Sequence, residues 1–271
     1  MGVELKVVRN GSRGAFGLEP LVEVEMDAER IAFGAVKVSD VPSIIESLET
    51  GAHSHERYLG PTTEIPWFRG QTRITFKRCG LGVPTSLENY QALGGYQGLE
   101  RALALSPQAI VDEVKSSGLR GRGGAAFPTG IKWQTVLDTH SAQKYIVCNA
   151  DEGDSGTFAD RLIMEADPFQ LIEGMTIAGL GVGATHGYIY LRSEYPKAQQ
   201  ALEAAIDIAE QAGYLGKNIR GSDAAFKLEV RMGAGSYICG EGTALLNSLE
   251  GKRGVVRAKP PRPAIEGLFG Q

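Results

Sequence analysis

Residues 144–156 read KYIVCNADEGDSG, a short apolar run that leads directly into a cluster of acidic residues. The run is typical of a buried strand, and the chain after it alternates helices with strands. The later segments are a helix from Asp167 to about Gly181, a strand over Gly187–Leu191, a helix from Pro196 closed by Gly213, a strand over Phe226–Arg231 and a helix that ends at Leu249. This order predicts an α/β fold, a Rossmann-like parallel sheet with helices on both faces.

A glycine-rich stretch, GLRGRGGAAFPTGIK (118–132), lies upstream of this strand and carries two arginines and a lysine. Glycines at this density expose backbone N–H groups, which can hold a phosphate next to a basic side chain. A flexible surface loop is the alternative, and the stretch alone does not distinguish the two. Its spacing resembles a Rossmann dinucleotide fingerprint, which needs a strand before the glycines and a helix directly after them. A helix from Ser106-Pro107 to Lys115 is expected to come before the stretch, so we reject the ordinary fingerprint.

The first 70 residues have a different pattern. They contain three predicted strands and one helix, namely Leu5–Val8, Leu21–Glu25, Arg30–Phe33 and a helix over Ile44–Leu48 that ends at Gly51. Residues 52–70 are expected to be a linker. A strand at Thr72–Phe76 and a helical region over Leu87–Leu105, interrupted by Gly94-Gly95, follow it. We therefore predict two domains, residues 1–70 and residues 71–271.

Composition narrows the classes of partner. The net charge of −4 argues against nucleic acid, which favours a basic face. The three cysteines are far apart and no CxxC is present, so neither a disulfide framework nor a metal site is predicted, and a cytoplasmic location is favoured. The most apolar run, Met175–Leu191, is broken by glycines and His186 and falls short of the ~20 apolar residues of a membrane span, so no direct membrane insertion is expected.

Two predicted strand ends carry polar chemistry. They are the acidic run Asn149–Gly156 and the glycine-rich turn Gly233–Gly242. Ligands of doubly wound folds bind beyond the carboxyl ends of the strands. An acidic cluster alone is more often a solvated loop. Opposite a basic glycine loop, it becomes a candidate for binding sugar hydroxyls and ring N–H groups while the glycine loop holds phosphates.

Four motifs follow one another along the chain: GLRGRGGAAFPTGIKW (118–133), CNADEGDSGTFADR (148–161), GAGSYICGEGTALLNSLE (233–250) and AKPPRPAIEGLFG (258–270). Together they resemble the FMN-containing, NADH-binding subunit shared by respiratory complex I, NAD-reducing hydrogenases and NAD-dependent formate dehydrogenases. The resemblance extends over residues 72–271. The preceding segment, with RNGSRGAF (9–16) and LEPLVEVE (18–25), is most similar to the formate dehydrogenase β, or diaphorase, subunit and implies a partial thioredoxin-like ββα unit.

The resemblance implies FMN and NAD(H) as cofactors, with a hydride passing between nicotinamide and flavin and no protein nucleophile. It assigns Lys132 a contact with the flavin and Phe127 a stacking contact with the adenine ring. The floor of the site is assigned to Gly121, Arg122, Gly123 and Gly124.

The same resemblance assigns roles to the two strand ends. Hydrogen bonds to the cofactor are implied for Asn149, Asp151, Glu152 and Asp154. Glu152 is also expected to face the nicotinamide and is our predicted catalytic residue. The other side of the flavin is expected to be lined by Tyr237, Gly240 and Glu241.

The expected partners are those of the family. They are an iron–sulfur subunit and, for a formate dehydrogenase, a molybdenum-containing subunit. A [4Fe–4S] cluster is expected only in a region after Gln271, so we interpret the chain as a fragment. The leading function is a diaphorase module of a formate dehydrogenase-like complex, and the alternative is the flavin subunit of complex I or of an NAD-reducing hydrogenase. A non-catalytic structural subunit is a second class, whereas an NTPase is disfavoured because no GxxxxGK[ST] motif is present.

Two positions depart from the family pattern. Gly242 stands where a second acidic residue is usual, and Arg262 stands where an aromatic residue usually helps to hold adenine. Both changes make the expected nucleotide pocket more positive. This suggests the hypothesis that the extra phosphate of NADP(H) is tolerated. Arg262 could instead stack on adenine and leave the specificity unchanged.

Overall fold

The computed structural model describes residues 5–26, 29–50 and 54–271. The chain divides into two compact units, Ser12–Lys77 and the combination of Met1–Gly11 with Arg78–Gln271. The boundary predicted between residues 70 and 71 stays a prediction. Within the described ranges, no helix is both long enough and apolar enough to cross a membrane.

The Ser12–Lys77 unit contains a three-stranded antiparallel sheet in the order β1-β2-β3. Its elements are β1 (Val22–Met26), β2 (Glu29–Phe33), α1 (Val41–Thr50), β3 (Tyr58–Pro61) and α2 (Pro66–Arg69). One small core forms where Phe33 of β2 and Ile44 of α1 pack together, and a second core contains Ala32 and Phe68. The ββα order is confirmed, while the predicted helix end at Gly51 lies outside the described residues.

Three expectations for the N-terminal region are wrong. The predicted linker over residues 52–70 contains β3 and α2. Neither Leu5–Val8 nor Thr72–Phe76 forms a strand. Both segments have the alternating composition of a strand but pair with no strand among the described residues, and each leaves an apolar side chain in solvent, with Val7 85% and Ile74 80% exposed. Alternation alone does not stabilise a strand that cannot pair.

The larger unit holds the remaining elements. They are α3 (Leu87–Ala92), α4 (Gln97–Leu103), α5 (Pro107–Ser116), α6 (Thr129–Asp138), β4 (Tyr145–Ala150), α7 (Ala159–Ala166), α8 (Pro168–Val182), β5 (His186–Leu191), α9 (Pro196–Gln211), β6 (Lys227–Met232) and α10 (Gly242–Leu249). All the helices and strands predicted from residue 87 onward are present, including the break between α3 and α4. The helices α6 and α7 were not predicted.

A three-stranded parallel sheet in the order β4-β5-β6 organises this unit. Successive side chains of a strand point to opposite faces. Ile146 of β4 and Ile189 of β5 pack into the main core with α8 and α9. Tyr145 and Tyr190 face the opposite way, toward Leu245 and its neighbours on α10. The parallel sheet and the helices on both of its faces are therefore confirmed.

Local signals explain several helix ends. The Ser106 hydroxyl accepts a hydrogen bond from the Ala109 N–H, and Pro107 occupies the first turn of α5, as predicted. The start of α4 is satisfied differently, because the buried carboxylate of Glu173 on α8 accepts hydrogen bonds from the N–H groups of Tyr96 and Leu99. A partner distant in sequence thus caps α4, which no local pattern could indicate.

The predicted order of elements around the glycine stretch is confirmed before the stretch and wrong after it. The helix α5 comes before the stretch, so the strand that an ordinary Rossmann fingerprint requires is absent from that place. However, α6 begins directly after the stretch at Thr129, which the sequence analysis missed. Gly130 lies in the first turn of α6, where an added Cβ would lie 2.7 Å from the main-chain nitrogen of Lys115. Glycine therefore permits the close packing of α6 on α5.

Two glycines of α8 provide a matched test of the packing of helix on sheet. A Cβ at Gly179 would lie 2.6 Å from the buried Phe226 ring, whereas a Cβ at Gly174 would meet nothing within 4 Å. We expect Gly179→Ala to lower the free energy of unfolding by ~1–3 kcal/mol, as overpacking does. Gly174→Ala should raise it by up to ~1 kcal/mol, because alanine favours helix. Urea unfolding measures both, and equal effects of the two substitutions would contradict this packing.

Candidate functional site

The carboxyl ends of β4, β5 and β6 lie side by side. The register pairs Ala150 with Leu191 and Leu191 with Met232, so all three strands end at the same edge. The residues that follow are 151–154 after β4, 192–195 after β5 and 233–241 after β6. We call residues 149–154, the last two residues of β4 and the four that follow it, the acid loop. We call residues 237–241, most of which form a 3₁₀ turn, the Tyr237 loop.

The structure brings the acid loop and the Tyr237 loop together. The Asn149 side-chain Nδ2 donates a hydrogen bond to the Gly240 carbonyl at 2.9 Å. The Tyr237 ring rests against Gly153, where an added Cβ would come within 2.7 Å of the ring. Tyr237 itself is 78% exposed. An aromatic face and the polar groups of the acid loop are therefore presented together to solvent.

Glu241 has a defined structural role in this arrangement. Its carboxylate caps α10 by accepting hydrogen bonds from the N–H groups of Thr243 and Ala244, at 2.8 and 3.0 Å, and it pairs with Lys259 at 2.9 Å. Burial raises the pKa of Glu241, but the hydrogen bonds from Thr243 and Lys259 outweigh it and hold the pKa at about 2. Glu241 is therefore a carboxylate at every physiological pH.

Glu152 is the buried member of the acid loop, at 7% exposed. Its carboxylate accepts hydrogen bonds from the N–H groups of Asp160 and Arg161, at 2.9 and 3.2 Å, and so caps the first turn of α7. A third hydrogen bond, of 3.0 Å, comes from the Tyr195 hydroxyl. Contact between Glu152 and a nicotinamide stays a prediction, and the observed geometry gives this residue an anchoring role as well.

The other two acids of the loop differ from Glu152. Asp154 is exposed, and its side chain has no hydrogen bond or ion pair with another part of the described chain. Asp151 is half-buried. Burial raises the pKa of Asp151, and the positive charge of Arg192 partly opposes this effect.

The glycine stretch 118–132 forms a closed turn with an open outer side. The Gly121 N–H donates to the Phe127 carbonyl at 2.9 Å, and Arg120 bridges to Pro128. At Gly124 the backbone has φ +93°, which favours glycine, and a Cβ there would meet nothing within 4 Å. Gly123 is equally free of neighbours. A ligand could therefore approach this backbone closely.

Two cations of this stretch have no partner within the described part of the chain. Arg122 and Lys132 are exposed, and neither side chain makes a hydrogen bond or ion pair there. Phe127 is 42% exposed. No hydrogen bond joins residues 121–127 to the acid loop among the described residues. Lys132 instead lines a cavity of about 350 Å³ with Tyr145 of β4 and Pro263, which links the start of α6 to the sheet and to the fourth motif.

A second cavity, of about 540 Å³, opens beside the acid loop. Asp154, Arg161, Arg192, Tyr195 and Lys197 are among its lining residues. Its two arginines are already paired, each with a neighbouring glutamate, at 3.0 and 3.3 Å. In the ranges that the structure describes, no group of three or more His, Cys, Asp and Glu side chains is placed to hold a metal ion.

Three residues at the site were missed by the sequence analysis: Arg192, Tyr195 and Lys259. The first two follow β5, the one strand whose end carried no acidic or glycine-rich run. Their position directly after a predicted strand was the available signal, because parallel strands end at a common edge. Lys259 lies within the quoted fourth motif, but its pairing with Glu241 depends on the folding of residues 250–259.

Comparison with known proteins identifies the family. Residues 114–269, more than half of the chain, match the Nuo51 FMN-binding domain, and the chain belongs to this family. The NADP-reducing hydrogenase subunit HndC of Solidesulfovibrio fructosivorans is 52% identical over 199 residues, which are 73% of this chain and 40% of that protein. An NADH-quinone oxidoreductase subunit of Aquifex aeolicus (strain VF5) is 52% identical over 186 residues, 69% of this chain and 43% of that protein.

A solved structure agrees with this assignment. A crystal structure of NAD⁺-reducing [NiFe]-hydrogenase in the H₂-reduced state has a TM-score of 0.60 at 30% identity, and the match covers 96% of this chain and 42% of that chain. The chain thus spans about two fifths of the length of the proteins it matches. The family confirms the resemblance and the expectation of FMN. The expectation of NAD(H) agrees with what the relatives are named for.

The pKa of Glu241 gives a test of the capped Tyr237 loop. Because the folded pKa, about 2, lies below the ordinary value of 4.5, the carboxylate stabilises the fold above pH 4.5 and loses this effect as the pH falls toward 2. We expect Glu241→Gln to lower the melting temperature at pH 7, and the gap from the parent protein to narrow as the pH falls from 5 to 3. Other carboxylates are common to both proteins and cancel. A gap that stays constant down to pH 3 would contradict this role.

Proposed function

We propose that the chain binds FMN and NAD(H) and transfers a hydride between them. The observation that carries this proposal is the glycine stretch, where an unobstructed backbone lies beside two unpaired cations, Arg122 and Lys132, within the residues that match the FMN-binding family. Such a surface suits an anionic ligand with a flat ring. The residues present therefore fit FMN.

In this proposal the residues keep their predicted roles. FMN supplies the hydride-accepting ring, and the protein supplies binding, orientation and electrostatics. Gly121, Gly123 and Gly124 give the ring or phosphate access to the backbone, and Arg122 with Lys132 balances its charge. Asn149, Asp151 and Asp154 hydrogen bond to FMN or to the sugar of the nucleotide.

Aromatic residues complete the proposed site. Tyr237 covers the second side of the flavin, where Gly240 leaves room and Glu241 fixes the turn. Phe127 stacks on the adenine ring of NAD(H). Both side chains are exposed in the structure, Phe127 at 42% and Tyr237 at 78%. Covering such exposed aromatic rings with a ligand makes the free energy of binding more favourable.

The assembly that this module serves is the finer part of the proposal. The relatives described above are subunits of NADH-quinone oxidoreductase and of hydrogenases. These favour a role as the NADH-oxidising flavin module of a complex I-like or hydrogenase-like assembly, with iron–sulfur subunits as partners. The formate dehydrogenase assignment, with a molybdenum-containing partner, stays a hypothesis that rests on residues 9–25. A cytoplasmic location stays a prediction.

Removing the unpaired cations tests FMN binding directly. We expect Arg122→Gln and Lys132→Gln each to weaken FMN binding by about ten-fold or more, because a charge-assisted hydrogen bond contributes ~1.5–3 kcal/mol. Titration of FMN into the full chain, followed by flavin fluorescence, measures the dissociation constant. Anaerobic addition of NADH to the loaded parent protein should then bleach the flavin absorbance.

Lys217→Gln is the matched control for these substitutions. Lys217 is exposed and unpaired within the described chain, and it follows Gly216, which bridges to Phe226 just before the start of β6, the opposite edge of the sheet from the site. This variant should bind FMN as the parent does. Equal weakening of FMN binding in all three variants would show that only the overall charge of the protein matters. A parent protein that stays colourless with excess FMN would favour the non-catalytic class.

The hypothesis on NADP(H) has its own test at Gly242. A Cβ at Gly242 would meet nothing within 4 Å, so a longer side chain fits there beside Glu241. We expect the parent protein to oxidise both NADH and NADPH. Gly242→Glu should lower the ratio of kcat/KM for NADPH to kcat/KM for NADH by about ten-fold, because its carboxylate repels the extra phosphate. Gly242→Gln controls for size. A strong preference of the parent protein for NADH would contradict the hypothesis.

A further inference from the structure

Three contacts join the end of β5 to the acid loop. The main-chain N–H of Arg192 donates to the Ala150 carbonyl at 3.3 Å. The Arg192 guanidinium donates through Nη1 to the main-chain carbonyl of Glu152. The Tyr195 hydroxyl donates to the Glu152 carboxylate at 3.0 Å. The first contact continues the strand ladder, whose last pair is Ala150 with Leu191, and the two side-chain contacts lie beyond it. The segment after β5 therefore fixes the acid loop from the neighbouring strand.

The two side chains that make these contacts are themselves held in place. The Arg192 guanidinium lies over the Tyr195 ring, 4.9 Å from its centre, and pairs with Glu194 at 3.3 Å. The guanidinium of Arg161 lies 5.7 Å from the same ring. Tyr195 is only 7% exposed. Burial and the hydrogen bond to Glu152 raise the pKa of Tyr195 to about 12, so its hydroxyl remains a donor at neutral pH.

The burial of Glu152 restricts the conformations that the acid loop can adopt. If the acid loop moved, this carboxylate would lose donors in a place where water does not replace them. A buried acceptor left without its donors costs ~1–3 kcal/mol, and more when it is charged. Asn149 and Asp151 lie within three residues of Glu152 in the same loop. The hydrogen bonds of Glu152 therefore limit where these two side chains can be.

We propose that Arg192 and Tyr195 are positioning residues of the cofactor site, which hold the acid loop in the conformation that orients the flavin toward the nicotinamide. This inference rests on the proposed function. Neither residue needs to touch a cofactor, because both act through Glu152. The positive charge of Arg192 also acts on Asp151, as the direction of its effect on that pKa indicates.

The test is to remove the Tyr195 hydroxyl and keep its ring. Tyr195→Phe loses the hydrogen bond to Glu152 and retains the ring between the two arginines. We expect the single-turnover rate of flavin reduction at saturating NADH to fall by about ten-fold, because small errors in the placement of reacting groups are costly. The NADH concentration that gives half-saturation should change by less than about two-fold. The flavin absorption band should shift, since the polar groups around the ring move.

Tyr214→Phe is the matched control. Tyr214 is also buried, at 3% exposed, and its hydroxyl also takes part in one side-chain hydrogen bond, from Gln91 Nε2 at 2.7 Å. It lies on the segment between α9 and β6, away from the acid loop. This variant should reduce its flavin at the rate of the parent protein. An equal slowing in both variants, or a Tyr195→Phe protein with the rate and spectrum of the parent, would overturn the inference.

A second variant tests the same role if Tyr195→Phe fails to fold. Arg192→Lys keeps the positive charge and the Tyr195 hydroxyl but cannot reach both Glu194 and the Glu152 carbonyl as the guanidinium does. It should slow flavin reduction in the same way, and a rate equal to that of the parent would overturn the role of Arg192. If the parent protein itself binds FMN but is not bleached by NADH, the proposed function fails, and that outcome is distinct from an effect confined to the variants.

Discussion

Parallel pairing in register is the constraint on which the site depends. Ala150, Leu191 and Met232 stand side by side, so the three strands β4, β5 and β6 deliver their next residues to one edge. The acid loop, the Arg192–Tyr195 segment and the Tyr237 loop all start there. Because α8 and α9 cover one face of the sheet and α10 covers the other, this edge is the place where these loops can present polar groups to a ligand.

The charged side chains of the motifs divide into those with a structural role and those available to a ligand. The carboxylates of Glu152 and Glu241 are used to cap α7 and α10, where backbone N–H groups compensate them. The cations Arg122, Lys132 and Arg262 have no partner in the described residues. These two acids are thus satisfied within the fold, whereas Asp154 and the three basic side chains remain available to a ligand. The three unpaired cations favour an anionic ligand even though the chain as a whole carries a net charge of −4.

The sequence alone was sufficient for the strands β4, β5 and β6 and for the helices α8, α9 and α10. Runs such as Lys144–Cys148 have a local signature, and Ser106-Pro107 marks a helix start that the structure confirms. Elements fixed by distant contacts were not predictable. Four-residue β3 exists because it pairs with β2, and α7 is capped by Glu152, seven residues before its first turn. Conversely, Thr72–Phe76 alternates like a strand but pairs with no strand in the described part of the chain.

The candidate site shows the same division. The residues named from the motifs lie on the glycine stretch, the acid loop and the Tyr237 loop, with Lys132 in the unpredicted helix α6, and the hydrogen bond from Asn149 to Gly240 joins the last two loops. Arg192 and Tyr195 were not identified, because their importance comes from contacts with Glu152 that sequence spacing does not encode. The third group, on the glycine stretch, shows no hydrogen bond to the acid loop in the described chain, so its place in a common site is a proposal.

A crystal structure of the chain soaked with FMN tests that common site most directly. We expect flavin density against the backbone of Gly121–Gly124, with Asn149 and Asp151 within hydrogen-bond distance and the Tyr237 ring on the other side of the flavin. Flavin density in the cavity lined by Arg161 and Lys197, away from the glycine stretch, would contradict the account.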